Sequence, residues 1–135
     1  MNHWLLKSEP TGYSFDQLVA EKRTLWTGVR NHRAQQFLRS MKKGELALFF
    51  HTGAERAAVG IARVLSAPKP DPTASDGKAW VAVELGAVKP LTTPVTLATM
   101  KATPELAALT MLRQPRLSVS PLSSAEYATL VSMGR

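Results

Sequence analysis

The segment Trp26-Thr27-Gly28-Val29-Arg30-Asn31 puts a tryptophan, an arginine and an asparagine within six residues. An indole and a guanidinium can both lie on the face of a nucleobase. A carboxamide can hydrogen-bond a base edge through two atoms. Asn31 is also a good N-cap, so the turn opens a helix whose first N–H groups favour an anion or a base edge. Taken singly, each residue has an ordinary role, Trp26 as core and Asn31 as a cap. Their co-location points to a site.

The surrounding charge suits a polyanion. From Lys22 to Lys43 the chain carries Lys22, Arg23, Arg30, Arg33, Arg39, Lys42 and Lys43 and no acid. This run matches the whole formal net charge of +7, and a balance of that sign favours nucleic acid before an acidic membrane surface. Arg33, Arg39, Lys42 and Lys43 fall off the apolar arc of the expected helix or beyond its end. They are expected to meet phosphates without reading sequence.

Other chemistries find less support. His3, His32 and His51 show no ligand spacing, so no metal is expected. The chain has no cysteine, which removes thiolate nucleophiles and cysteine-bound zinc. Neither a G-x-x-x-x-G-K-S/T loop nor a G-x-S-x-G elbow occurs. The expectation is a non-enzyme without cofactor. An enzyme acting on a base or nucleotide would have to use Glu9 or His51 as acid and base, and a sensor of a small free heterocycle is a further alternative.

The elements that would position these residues follow from pattern. With 135 residues, 44% of them hydrophobic and 20% charged, the chain is read as one domain, 1–135. The N-terminus has no basic leader and no long apolar run, and a cytoplasmic protein is expected. "HWLLKS" reads as a first strand. Ser14 and Gln17 form a capping box for a short helix toward Glu21, and Asn31 opens a second. In the second helix Ala34, Phe37, Leu38 and Met41 share an arc, with Gln35, Gln36 and Arg39 turned away. "ELALFFHT", "AAVGIARVLS" and "WVAVELGAVKP" read as strands, with "APKPDPTASDGK" as a surface loop between the last two. Pro104 starts a short helix over "PELAALTML". "RLSVSP" is a last strand, and Ser123 with Glu126 caps a terminal helix. Trp80, opening an alternating strand, is expected in the core. This is an α+β domain with a small, curled or closed sheet and peripheral helices.

Six blocks in order, "WLLKSEP", "YSFDQL", "WTGVRNHRAQQFLRSMKKGE", "LFFHT", "VGIARV" and "RLSVSPLS", resemble the EVE domain. The resemblance covers nearly the whole chain. It implies a PUA-like fold, a compact mixed β-barrel with flanking short helices, related to the YTH readers. It also implies a non-catalytic module that binds DNA or RNA and takes a flipped, modified base into an aromatic and polar pocket. Carried over residue by residue, that pocket would use Lys7, Ser8 and Glu9, then Trp26, Val29, Arg30 and Asn31, then Phe50, His51 and Thr52, and finally Arg116, Leu117 and Ser118. Two departures stand out. Asn31-His32-Arg33-Ala34-Gln35 replaces a typical N-Y-Q-A-R, and Phe49-Phe50-His51-Thr52 replaces F-Y-H-S. Both remove a tyrosine hydroxyl.

Overall fold

The computed structural model describes residues 1–135. The chain runs β1 (His3–Ser8), α1 (Phe15–Glu21), β2 (Arg23–Trp26), α2 (His32–Ser40), β3 (Leu46–His51), β4 (Ala57–Val64), β5 (Lys69–Pro70) and β6 (Val81–Thr96). After these come α3 (Leu97–Lys101), a 3-10 turn at Pro104–Leu106, α4 (Thr110–Arg113), β7 (Val119–Leu122) and α5 (Ser124–Met133). Both expected capping boxes are present, Ser14 with Gln17 and Ser123 with Glu126. Asn31 caps α2 by accepting the Ala34 N–H at 3.0 Å.

The seven strands form one sheet in the order β2-β6-β4-β3-β1-β7, with β5 added alongside β6. β1 and β3 are parallel, and the other pairs are antiparallel. The ladder does not close, so the barrel is a curled sheet with two free edges. Curling is needed because α2 packs against both β6 and β7, which lie toward opposite ends of the strand order. Ala34 and Leu38 of α2, with Met41 just after it, fill that opening, meeting Trp4, Leu6, Val83, Leu85 and Val119. The other face carries Leu5, Leu48, Phe50, Ile61 and Val95 under Met100, Leu106, Met111 and Leu130 from the C-terminal helices. Alternation along β1 therefore feeds two cores, Trp4 and Leu6 to one and Leu5 to the other.

Three segments differ from the sequence reading. β6 runs for 16 residues, through Pro90 and Pro94, with register shifts against β4 that bend it. "APKPDPTASDGK" is more than a surface loop, because it adds β5 to the sheet and buries Asp71. Gln35 does not face solvent. It is fully buried, with Nε2 donating to the Val29 carbonyl at 2.8 Å and the Val81 carbonyl at 3.0 Å, and Oε1 accepting the Val81 N–H at 2.9 Å. This amide substitutes for a ladder between the helix and the start of β6. Gly60 makes room for α1, since a Cβ there would stand 2.3 Å from the Phe15 ring.

The Gln35 clasp yields a direct expectation. Gln35→Leu keeps the volume but strands the backbone groups of Val29 and Val81. Urea unfolding should show a loss of about 1–3 kcal/mol for each group left unpaired, with the m-value unchanged.

Candidate functional site

β1 and β3 run parallel, so Ser8 and His51 end side by side, and the concave surface lies at that end. A cleft of about 370 Å³ is lined by Ser8, Glu9, Tyr13, Thr24, Trp26 and Thr27, with Gly12 and Leu25. Trp26 is the last residue of β2 and is half-buried. Its ring meets Phe49 edge-on at 5.5 Å and Tyr13 at 5.9 Å, which fixes the indole as a wall.

A second cleft, of about 280 Å³, includes Lys7, Phe50, Thr52 and Pro115. A third, of about 310 Å³, holds Asn31, Arg33, Pro115, Arg116 and Leu117. The three adjoin. Thr52 Oγ1 donates to Glu9 Oε2 at 3.3 Å, linking the first to the second, and Pro115 is common to the second and third. The Ser118 carbonyl accepts the Lys7 N–H at 2.8 Å, which keeps β7 against the same end.

Nine of the thirteen expected pocket residues line a band of three adjoining clefts rather than one pocket: Ser8, Glu9 and Trp26 the first, Lys7, Phe50 and Thr52 the second, and Asn31, Arg116 and Leu117 the third. Ser118 touches it through its backbone. Three sit elsewhere. Val29 is buried in the core beneath α2. His51 is buried, its Nε2 accepting the Phe15 N–H at 3.0 Å, so Nδ1 carries the proton toward Glu55 Oε1 at 2.6 Å. Arg30 donates to Asp71 Oδ2 at 3.0 Å and to Thr73 Oγ1 at 2.9 Å, and covers Trp80 at 5.5 Å. Trp80 is buried as expected, but under Arg30, His32 and Lys78 and outside the apolar clusters. His32 stacks on that indole at 5.0 Å.

The basic run is divided. Arg33 reaches the band beside Arg116, and Arg39 donates to the Ala79 carbonyl at 2.6 Å. Lys42 and Lys43 lie next to Glu45 at the start of β3, the far end of the β1–β3 pair from the clefts.

Sequence reasoning missed Tyr13, Asp71 and Gln35. Asp71 has a local signal, Asp-Pro-Thr, in which its Oδ1 accepts the Thr73 N–H at 2.8 Å as an Asx turn. Its side chain is fully buried, and Oδ2 also accepts the Gly28 N–H at 2.9 Å. Burial alone would push this carboxyl up. Hydrogen bonds from Thr73, Gly28 and Arg30 outweigh it and hold Asp71 well below the usual carboxylate range.

The EVE domain family model matches residues 2–133. The chain belongs to the EVE domain family. This EVE domain is 43% identical to a Rhodopseudomonas palustris protein solved by NMR, with a TM-score of 0.93 over 99% of this chain and 93% of that one. It is 31% identical to thymocyte nuclear protein 1 of Gallus gallus, over 97% of this chain and 68% of the relative. The crystal structure of human THYN1 in complex with 5-methylcytosine containing DNA is 27% identical, with a TM-score of 0.90 over 100% of this chain and 98% of that one.

Asp71 sets a pH signature for the stability of the EVE domain. Its folded value lies below the unfolded value of about 3.9, so its contribution is full above about pH 4 and is lost as pH falls through the folded value. Urea titrations at stepped pH should show Asp71→Asn less stable than wild type by about 1–3 kcal/mol at neutral pH. The gap should narrow below about pH 4.

Proposed function

We propose that this domain is a non-catalytic reader of nucleic acid that takes one flipped, modified base into the Trp26–Tyr13 cleft. The observation that carries the reading is the likeness, along the whole chain, to human THYN1 bound to DNA containing 5-methylcytosine. The cleft supports it. Its volume of about 370 Å³ is in the range of small-ligand sites, about 300–1,000 Å³. Trp26 and Tyr13 give aromatic walls, and stacking there tolerates any base. Discrimination falls to the rim, where the Glu9 carboxylate can accept from an exocyclic amine such as that of cytosine. Thr24 and Thr27 add hydroxyls to the same lining.

Flipping costs a few kcal/mol, which stacking and edge contacts must offset. An added methyl group in a pocket is worth about 1–3 kcal/mol. Preference for the modified base is therefore graded. Arg33 and Arg116, exposed on the same band, take phosphates of the strand that delivers the base.

The test is a titration of matched oligonucleotides, DNA first, with and without 5-methylcytosine at one position. Preference for the modified strand should be about tenfold to two-hundredfold. Trp26→Ala should weaken binding by about 1–3 kcal/mol while a thermal melt still shows a folded domain. Arg33→Gln with Arg116→Gln should flatten the salt slope by about 0.7–0.9 per lost contact and keep the preference. Equal affinity for both strands would overturn the reading, and salt-independent affinity would transfer the cleft to a free heterocycle.

A further inference from the structure

The second cleft differs from the first in charge and lining. Lys7, Arg56 and Lys101 stand around apolar walls of Phe50, Leu97 and Met111. The ion pairs of the domain join Arg23 and Lys69 to Glu84 and Arg30 to Asp71, so none of these three cations has a carboxylate partner. Lys7 Nζ donates to the Pro115 carbonyl at 2.7 Å, and partial burial without a counter-charge pulls its pKa below the ordinary value. Arg56 holds a backbone φ of 45°, which non-glycine residues seldom adopt. Its carbonyl accepts the Leu97 N–H at 2.8 Å, tying the β3–β4 turn to the start of α3. That bond brings Arg56 and Lys101 to one rim.

A thin partition separates the two clefts. Glu9 lines the first, Thr52 and Gly53 line the second, and Thr52 Oγ1 donates to Glu9 at 3.3 Å. A Cβ on Gly53 would stand 2.8 Å from both Glu9 carboxylate oxygens, so the wall is one residue thick. A strand whose flipped base occupies the first cleft has its next nucleotide within reach of the second. The Glu9 charge repels phosphate from the partition, and the unpaired cations attract it just beyond.

A flat apolar ring with an attached anion is the chemistry that fits this lining, and a nucleotide has both parts. We propose that the second cleft holds the nucleotide adjoining the flipped base, its ring against Phe50, Leu97 and Met111 and its phosphate among Lys7, Arg56 and Lys101. This rests on the reader function proposed above and extends it, because the unit recognised becomes a dinucleotide. Stacking sets the contribution of the neighbour, which is required as a base but read loosely for identity.

The experiment uses single-stranded oligonucleotides with one 5-methylcytosine and either natural neighbours or an abasic position on the 5′ side, the 3′ side or both. One abasic side should weaken binding by about 5- to 150-fold, the fold-change of one lost base stack. The preference for methylated over unmethylated cytosine should persist. R56Q/K101Q changes two exposed side chains with no hydrogen bonds to lose, so the fold should stand in a thermal melt. It should weaken the natural strand and flatten the salt slope by about 0.7 for a lost phosphate contact. Abasic strands that bind like the natural one, or a variant that keeps the wild-type slope, would overturn the second cleft while the methyl preference upholds the first. Loss of the methyl preference in wild type would remove the reader function, and the second cleft with it.

Discussion

Between β2 and α2 the chain leaves a strand, passes Gly28 at φ 84° and enters a helix, with no ladder on either side to hold it. Two buried polar side chains do this instead. Asp71 accepts the Gly28 N–H and the Arg30 guanidinium, and Gln35 takes the Val29 carbonyl together with both backbone groups of Val81. Burying a carboxylate and an amide is unfavourable unless their partners are supplied. Here the partners are backbone groups of the segment that sets where Trp26 ends and Asn31 begins. The aim of the aromatic wall thus depends on Asp71, 43 positions after Gly28 in a proline-rich loop, and on Gln35 reaching from α2 to the start of β6.

The same geometry explains why a charge run in sequence becomes two surfaces in space. Helix α2 rises about 1.5 Å per residue and ends at Ser40, so it carries the chain roughly 10 Å from Arg33 before Lys42 and Lys43. Arg33 is delivered to the cleft band and the two lysines to the opposite end of the sheet. Cations from remote segments, Lys7, Arg56, Lys101 and Arg116, complete the band in their place. Its positive character is assembled by topology, and the Lys22–Lys43 stretch supplies only part of it.

What was legible in the sequence was local. Ser14 with Gln17, Asn31, and Ser123 with Glu126 each satisfy N–H groups within one turn, so their helices could be read from spacing alone. β1 and β3 could be read from apolar runs of strand length. Gln35 was not legible, because a glutamine on the polar side of an arc looks solvated until a strand start arrives to bond it. Closure of the barrel was not legible either. Whether the last edge meets the first depends on α2 filling the gap, and that is a matter of volume rather than pattern. The clefts combine residues from β1, β2, the β3–β4 turn and the segment before β7, so the blocks that suggested a site could not show its divisions.

His51 shows how one step of alternation separates binding from acid–base chemistry. Along the end of β3, Phe50 and Thr52 face the second cleft while the intervening imidazole turns toward α1. There it accepts the Phe15 N–H, which fixes the tautomer, and its other nitrogen is engaged by Glu55. The ring is a helix anchor and lines neither of the first two clefts. Glu9 is left as the one carboxylate lining the first cleft, with the Tyr13 phenol on the same wall. A carboxylate at an aromatic wall is suited to accepting a hydrogen bond from a base edge.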